Sequence, residues 1–364
     1  MKSRRGKYLL AICLAVVVIA AIVVGVVLLT GDDKVAVAPI PGLEPSDDER
    51  PVSDKVWPVT LALHVELDSA QTNQPADVAP LDGKMFVADT GGGRLLVVDA
   101  DGKISGLLDQ QDDPQLKLSG PMAVATHEGQ LYVADSDAGR VLVVAPSGTV
   151  SRVITLAKGG SADALSPRPI GIAVWNDGSF AVSDVANNRL NKYDSEGNLV
   201  WTVGTGERAS GENGLNGPSG LALDKDGNVY VVDVLNSKVK KYSSDGTFLY
   251  AFGQAGDRAG QFSRAKAVAL DDAGNIYVSD GLGAAVQVFN QQGSFVGFVG
   301  RRDPTDPKSV SLFNAPHGLK IVDGKLYVVD RFAGLFVFDL PSTTPTSVQP
   351  DSTQPNATQP SAND

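Results

Sequence analysis

Short apolar runs alternate with glycine-containing turns along most of this chain, and one five-residue pattern ending in aspartate returns six times. Valine always occupies its third position, and steps of 46 to 50 residues separate successive aspartates. Apolar runs this short, bounded by turns, are typical of strands. Self-similarity at such a period predicts a repeat architecture. The six copies are residues 85–89, 131–135, 180–184, 229–233, 276–280 and 326–330.

Each repeat predicts four short strands. The first strand is rich in small residues and follows a proline in five of the repeats, whereas Ala265 takes that place in the other. A turn with glycine in second position, which permits positive φ, leads into the aspartate strand. An alternating strand, a second glycine turn and a fourth strand follow. Four antiparallel strands in about 40–50 residues are typical of a propeller blade. We therefore expect an all-β fold, a six-bladed β-propeller of four-stranded antiparallel blades.

The sixth repeat lacks a fourth strand. Its third strand is followed by residues 341–364, which are mostly Pro, Ser, Thr, Gln and Asn and predict a disordered tail. An unassigned apolar stretch, residues 57–67, precedes the first repeat. We expect this stretch to close the ring as the outer strand of the last blade, because such closure hides two sheet edges. The predicted propeller therefore spans residues 57–340.

The N-terminal residues predict a membrane anchor. Residues 8–29 carry no charge and follow Lys2, Arg4, Arg5 and Lys7. At about 1.5 Å per residue, a helix of this length crosses a bilayer core of roughly 30 Å. We predict one transmembrane helix within residues 1–30. The run is longer than a signal-peptide core and no Ala-x-Ala site follows, so an uncleaved anchor is favoured over a cleaved signal.

The basic cluster predicts a cytoplasmic N-terminus, which places the propeller outside the cell membrane on a single-pass anchor. Residues 31–56 are acidic and proline-rich and predict an extended linker. The formal net charge of -11 argues against a nucleic-acid partner. A single cysteine, Cys13, excludes an internal disulfide framework.

Three segments resemble NHL-repeat six-bladed propellers: residues 218–233, 253–262 and 184–190. The resemblance covers about residues 70–340. The family includes interaction modules, a lyase of amidated peptides, and relatives of lactonases and of strictosidine-synthase-like enzymes. The resemblance therefore implies the fold and leaves the function open.

The six signature aspartates have two interpretations. They could form a ring of carboxylates that holds a divalent cation, calcium or zinc. Alternatively, each accepts hydrogen bonds from backbone amides of the next turn and pairs with a basic residue five positions later. That basic residue is Arg94, Arg140, Arg189 or Lys238 in four repeats and is missing at Ala285 and Leu335. We favour the second, structural interpretation. The aspartates are Asp89, Asp135, Asp184, Asp233, Asp280 and Asp330.

The residue after each opening proline is expected to face one mouth of the central channel. Lys266, His317, Ser219 and Met122 occupy this position and form the predicted ligand-binding patch. The other two histidines, His64 and His127, lie on different predicted elements, so a three-histidine zinc site is not expected.

These observations favour a membrane-anchored extracytoplasmic binding module that presents its propeller to a protein, glycan or small ligand. No catalytic residue can be named, and no cofactor is required beyond a possible divalent cation. The alternative is a metal-dependent hydrolase or lyase, lactonase-like or peptide-lyase-like, at the channel mouth. A scaffold that positions other envelope proteins is a third possibility.

Overall fold

The computed structural model describes residues 27–29, 35–37, 55–67, 71–158, 164–301 and 310–341. The chain divides into two compact units, Met1–Val52 and Ser53–Asp364. In the first unit the described residues form two short strands, β1 (Val27–Leu29) and β2 (Val35–Val37), which pair antiparallel.

The predicted membrane segment lies outside the described residues except for its last three positions. These three form β1 instead of the end of a helix, and β2 lies within the predicted extended linker. In the parts of the chain that the structure describes, no helix has the length and apolarity needed to cross a membrane. The predicted tail lies outside the described residues apart from position 341.

The second unit is a six-bladed β-propeller, which confirms the predicted all-β fold of four-stranded antiparallel blades. It begins with β3 (Thr60–Val65), and the blades then follow in chain order. Blade 1 consists of β4 (Pro75–Leu81), β5 (Lys84–Asp89), β6 (Arg94–Asp99) and β7 (Ile104–Leu108). Blade 2 consists of β8 (Pro121–His127), β9 (Gln130–Asp135), β10 (Arg140–Val144) and β11 (Val150–Thr155). Blade 3 consists of β12 (Pro169–Val174), β13 (Phe180–Asp184), β14 (Arg189–Tyr193) and β15 (Leu199–Val203).

Blades 4 to 6 repeat this arrangement, with β3 completing the last blade. Blade 4 consists of β16 (Pro218–Leu223), β17 (Val229–Asp233), β18 (Lys238–Tyr242) and β19 (Phe248–Phe252). Blade 5 consists of β20 (Ala265–Leu270), β21 (Ile276–Asp280), β22 (Ala285–Phe289) and β23 (Phe295–Val299). Blade 6 consists of β24 (Pro316–Val322), β25 (Lys325–Asp330), β26 (Gly334–Asp339) and β3. Three single-turn 3-10 helices lie in the loops: Thr90–Gly92, Pro114–Leu116 and Val234–Asn236.

The N-terminal strand β3 is the outer strand of blade 6. It pairs antiparallel with β26, with Val65 opposite Leu335 and Thr60 opposite Asp339. Trp57, just before β3, is buried, and its indole Nε1 donates to the Tyr277 hydroxyl of blade 5 at 3.0 Å. The first and last strands of the propeller are thus hydrogen-bonded to each other, which leaves no open gap in the ring.

The core consists of six apolar clusters, one between each pair of neighbouring blades. Each cluster joins apolar side chains of two blades, for example Tyr242 of blade 4 with Leu190 of blade 3. Burial of apolar area drives folding at about 25 cal/mol per Å². Because each blade buries side chains against both neighbours, the ring is stabilised as a whole.

The inner strands approach closely at the axis, and small residues make this approach possible. An ideal Cβ on Gly220 would lie 2.5 Å from the Cα of Ala267 in the next blade, and one on Gly318 would lie 2.5 Å from the carbonyl oxygen of Ala76. Any side chain at these positions would push two inner strands apart. The small residues predicted for the first strand therefore fit the crowded axis.

The propeller has two faces. The top face carries the loops between second and third strands and the connections between blades. The bottom face carries the turns between first and second strands and between third and fourth strands. These turns contain the predicted positive-φ pairs, such as Asp82 and Gly83 with φ of 51° and 73°. Every signature aspartate ends the second strand of its blade, at the top face.

Candidate functional site

The six signature aspartates are almost completely buried and bind backbone amides. Asp135, for example, accepts hydrogen bonds from the amides of Ser119 at 2.8 Å and Gly120 at 2.9 Å, in the connection that leads into its own blade. The other five aspartates accept equivalent bonds from Asn73, Arg168, Asn216, Ser263 with Arg264, and Asn314 with Ala315. Each aspartate therefore holds two segments of the top face together.

A metal centre would need several of these carboxylates to converge on one point. Within the described residues, no three His, Cys, Asp or Glu side chains are close enough to hold a metal ion. The carboxylate oxygens are instead engaged by the amides of their own loops. The geometry of the described residues gives the hypothesis of a calcium or zinc ion on these aspartates no support.

The predicted pairing with a basic residue five positions later is present in blades 1 and 2. Arg94 Nε lies 2.9 Å from the carboxylate of Asp89, and Arg140 Nε lies 2.9 Å from that of Asp135. A second guanidinium nitrogen of each arginine donates to a backbone carbonyl 23 residues earlier in the chain. Each of these arginines therefore links its signature aspartate to the connection that precedes the blade.

The same prediction was wrong in blades 3 and 4. Asparagines three positions after the aspartate reach the carboxylate first: Asn187 donates to Asp184 at 2.6 Å and Asn236 donates to Asp233 at 2.7 Å. Lys240, rather than Lys238, forms the ion pair with Asp233 at 2.9 Å. The short asparagine side chain fits inside the tight loop, so the longer basic side chain is displaced from the carboxylate.

In blades 5 and 6 backbone amides replace the missing basic residue. Asp330 accepts hydrogen bonds from four amides, two on each side of the top loop, at 2.7 to 2.9 Å. Asp280 accepts from three, those of Ser263, Arg264 and Gly283. The carboxylates of these two blades therefore need no arginine or lysine partner.

The four predicted mouth residues do come together. Met122, Ser219, Lys266 and His317 line one small cavity on the propeller axis near the top face, together with their counterparts in the other two blades. The cavity volume is only about 20 Å³, which is room for about one water molecule. A ligand at this mouth must therefore lie at the rim of the channel rather than inside it.

His317 is a neutral imidazole surrounded by positive charge. Its Nδ1 lies 2.9 Å from the carbonyl oxygen of Ala76 across the junction between blades 6 and 1. Loss of solvent, and then the charges of Arg331 and Lys266, lower the pKa of His317 from 6.5 to about 3. The imidazole therefore stays uncharged near neutral pH.

Lys266 is a half-buried amine near two arginines. Burial and the charges of Arg264 and Arg331 lower its pKa to about 8. Burial and the charge of Arg264 also lower the pKa of Arg331. In the described part of the chain, no carboxylate lies within ion-pair distance of these three cations. We call Arg264, Lys266, His317 and Arg331 the basic mouth.

Sequence reasoning missed Arg264 and Arg331. Each occupies a repeat position that is neutral in most blades. Arg331 directly follows a signature aspartate, where the other repeats carry Thr, Ser, Val, Val and Gly, and Arg264 directly precedes the first strand of its blade. Comparing equivalent positions between repeats would have found both residues.

The remaining histidines lie away from the mouth. His64 is on the outermost strand of blade 6, stacked on Phe336 with ring centroids 4.1 Å apart. His127 ends β8 at the bottom face, with its Nε2 3.9 Å from Glu128. As predicted, the three histidines do not converge.

A buried ion pair closes the channel below the basic mouth. Lys320 Nζ lies 3.3 Å from the carboxylate of Asp77, which also accepts from the amide of Val124 at 3.0 Å. Burial raises the pKa of Asp77 even though Lys320 opposes the shift. This pair connects the inner strands of blades 6, 1 and 2 and separates the basic mouth from an apolar cavity of about 200 Å³ at the bottom of the axis.

A larger cleft of about 600 Å³ lies on the bottom face, between the turns of blades 3, 4 and 5. Its walls include Trp175, Tyr230 and the ion pair of Lys241 with Asp224 at 2.9 Å. Lys192 lies over the Trp175 ring, 4.1 Å from its centroid. The polar groups described in this cleft are largely engaged with one another.

Exposed apolar side chains mark the top loops of blades 4, 5 and 6. Leu235, Leu282 and Phe332 are 62%, 69% and 76% exposed. All three lie two positions after a signature aspartate, so they occupy equivalent places around the top face. In blades 1 to 3 this position holds Gly, Asp and Ala. We call these three residues the apolar rim.

Comparison with known proteins supports the repeat architecture. The family model described as NHL repeat matches residues 215–242, which cover most of blade 4. The propeller contains an NHL repeat. The predicted resemblance to NHL-repeat propellers is thereby confirmed. A search of curated proteins finds no match.

Several solved structures share the propeller fold of this chain. A gluconolactonase from Xanthomonas campestris is 15% identical, with a TM-score of 0.57, covering 80% of this chain and 99% of that chain. A protein of unknown function from Bacteroides thetaiotaomicron is 16% identical, with a TM-score of 0.58, covering 76% and 72%. A streptogramin B lyase is 12% identical, with a TM-score of 0.54, covering 79% and 100%. At these identities the likeness concerns the fold alone.

Proposed function

We propose that this protein is a membrane-anchored, extracytoplasmic binding module that presents the top face of its propeller to a protein, glycan or small ligand. The apolar rim carries this proposal. Leu235, Leu282 and Phe332 expose large apolar side chains at equivalent positions of three adjacent blades, on the same face as the channel mouth. Apolar side chains grouped on one face are typical of an interaction surface.

The anchor is supported by the chain itself. Residues 8–29 carry no charged side chain and follow four basic residues. A segment of this kind holds its C-terminal domain outside the cytoplasmic membrane. The linker then keeps the propeller at a distance from the bilayer.

A metal-dependent hydrolase or lyase at the mouth receives no support from the described residues. The titratable side chains that line the mouth are Lys266, His317 and the ion pair of Lys320 with Asp77, whereas a divalent cation requires several carboxylates or histidines at one point. The likeness to a lyase and a gluconolactonase concerns the fold alone.

Site-specific photo-crosslinking tests the binding function. A photoreactive residue replaces Phe332 in the full-length protein in intact cells, and the control places it at Val200, an exposed apolar position on the outer strand of blade 3. We expect a discrete adduct from position 332 and none from position 200. Equal yields at both positions, or no adduct at 332, would contradict the proposal.

Membrane fractionation and protease accessibility test the location. We expect the full-length chain in the membrane fraction, with its propeller cleaved by protease added outside intact cells. A chain recovered entirely in the soluble cytoplasmic fraction would contradict the proposed anchor.

A further inference from the structure

We propose that the basic mouth binds the oxyanion of a carboxylate or phosphate ligand through Lys266, Arg331 and Arg264. The inference rests on the binding function proposed above and names the chemical class of its ligand. Four features support it: the positions of the cations, the unsatisfied hydrogen-bond donor of Arg331, the ion pair formed by the equivalent arginine of blade 3, and the volume of the cavity at the mouth.

The cations come together from two neighbouring blades. Arg264 and Lys266 flank the start of β20 in blade 5, and Arg331 begins the top loop of blade 6. The amide of Gly281 donates to the carbonyl of Arg264 at 3.1 Å. An ideal Cβ on Gly281 would lie 3.7 Å from Lys266 Cγ and 3.6 Å from the carbonyl oxygen of Pro316, in blade 6. Gly281 therefore lies where Arg264 and Lys266 of blade 5 meet the start of β24 in blade 6, and the charge of Arg331 acts on Lys266 across this junction.

A hydrogen-bond acceptor is missing at this junction. Arg331 Nε is buried and has no hydrogen-bond partner among the described residues. Buried donors in folded proteins are nearly always satisfied, so such a group indicates an absent acceptor. A guanidinium donates two parallel hydrogen bonds to a carboxylate or phosphate, which makes an oxyanion the matching acceptor.

Among the described residues, the three cations of the basic mouth form no ion pair with a carboxylate. Arg264 and Arg331 lower the pKa of Lys266, and no described carboxylate offsets them. The signature carboxylates of blades 5 and 6, Asp280 and Asp330, accept hydrogen bonds from backbone amides instead of from the side chains of these cations. A bound anion would relieve the repulsion among the cations, and this provides a driving force for binding. Because the whole chain has a net charge of -11, this cluster is a local exception rather than part of a basic surface.

Blade 3 shows how the same position is neutralised elsewhere. Arg168 directly precedes its opening proline, as Arg264 precedes Ala265. Arg168 pairs at 2.7 Å with Asp137, which lies two positions after the aspartate of the preceding blade. The equivalent partner of Arg264 is Leu235, which carries no charge. Among the described residues Arg264 has no such carboxylate, and we infer that an external anion takes its place.

The size of the mouth limits how the ligand lies. The cavity of about 20 Å³ cannot admit an anionic group of several atoms, so the oxyanion lies at the rim. The rest of the ligand then extends over the top face, where Leu282 and Phe332 are exposed. The best ligand therefore combines one anionic group with an apolar portion.

Calorimetric titration of the full-length chain, in mild detergent and at constant ionic strength, tests the anion site. One arm uses inorganic phosphate and the other uses succinate. We expect at least one anion to bind, and the arm that binds identifies the group. R331Q and K266Q should each weaken binding about tenfold, whereas the matched control R168Q should change it less than about twofold.

The pH dependence provides a second measurement. Succinate, which is fully ionised from pH 7 to pH 9, should bind more weakly at the higher pH, because the pKa of Lys266 is about 8 and its ammonium loses the proton. The charged and titratable groups around Lys266 are Arg264, Arg331 and the neutral His317. K266R should bind equally well at both pH values.

The proposal is overturned if neither anion binds, if R168Q weakens binding as much as R331Q, or if R331Q and K266Q leave binding unchanged. Crosslinking from position 332 decides the binding function separately. An adduct at position 332 without any anion binding would keep the binding module and discard the anion site.

Discussion

Blades 1 and 2 differ from blades 5 and 6 in how they use positive charge at the top face. In the first pair, Arg94 and Arg140 form ion pairs with the signature aspartates at 2.9 Å and stabilise the top loops. In the second pair, backbone amides donate to Asp280 and Asp330, and no described carboxylate forms an ion pair with the nearby cations. The same backbone thus makes a structural clasp on one side and a charged mouth on the other.

The comparison shows that conserved geometry does not imply conserved chemistry. The aspartate keeps its position in every blade, but the group that satisfies it changes from guanidinium to asparagine to amide. Where backbone amides satisfy the aspartate, nearby basic residues are not needed as its partner and are available for other contacts. Function can then develop in one sector of a ring whose blades are otherwise alike.

The largest effect is expected from removing the aspartate of blade 6. D330A should lower the free energy of unfolding by about 4 kcal/mol, because four amides lose their common acceptor. D330N keeps one acceptor oxygen and should cost about half as much. Urea unfolding of both variants measures the difference. A loss below about 1 kcal/mol for D330A would show that the loop does not depend on these bonds.

A pair of arginine variants tests the contrast between the two regions directly. R140Q should destabilise the protein by about 2 kcal/mol, because it leaves a buried carboxylate without its charged partner. R331Q should change stability by less than about 0.5 kcal/mol, since it removes an unpaired cation. Thermal and urea unfolding of both variants provide the comparison. Equal losses would mean that Arg331 is as structural as Arg140.

The neutral His317 predicts a loss of stability in acid. Its pKa in the folded protein is about 3, below the ordinary 6.5, so between these values the unfolded chain binds a proton that the native state refuses. The free energy of unfolding is therefore unaffected by His317 above pH 6.5 and decreases as the pH falls below this value. Each unit is worth about 1.4 kcal/mol, which gives a loss of about 2 kcal/mol at pH 5.

H317N is the control for this pH effect, because its amide can still donate to the carbonyl of Ala76 and does not titrate. Unfolding at pH 7 and pH 5 should show a loss about 2 kcal/mol smaller in H317N than in the native chain. His64 and His127 are present in both proteins, so their contributions cancel. Equal losses in the two proteins would contradict a strongly lowered pKa for His317.

The smallest expected effect converts blade 4 to the pattern of blade 2. L235D places a carboxylate where Asp137 faces Arg168, so it should pair with Arg264 and compete with the anion. We expect phosphate or succinate affinity to fall about threefold, with stability changed by less than about 0.5 kcal/mol. L235N supplies no charge and should keep the native affinity. Equal effects of L235D and L235N would show that charge is not responsible.

Much of the fold could be predicted because repeats reveal their own equivalences. The six aspartates, the glycine turns and the missing fourth strand of the last repeat predicted both the blade count and the role of residues 57–67, which contain the closing strand Thr60–Val65. Lys266, His317, Ser219 and Met122 were placed correctly around one mouth, since equivalent positions must surround one axis.

The predicted pairing of Arg189 and Lys238 with the signature aspartates of their blades was wrong, because a spacing of five residues does not determine which side chain donates to the carboxylate. Asn187 and Asn236, three residues after the aspartate, lie inside the loop and occupy the carboxylate. The choice depends on side-chain reach within a tight turn. A linear spacing rule has no information about that reach.

The number of blades, their strand order and the ring position of each signature residue could be predicted from the amino-acid sequence, because periodicity and turn chemistry are local properties. Which charges remain unpaired became evident only in the folded ring. Arg264 and Arg331 are far apart along the chain, and the meeting of blades 5 and 6 brings them beside Lys266. Electrostatic balance depends on distances between segments, and those distances exist only after the ring has closed.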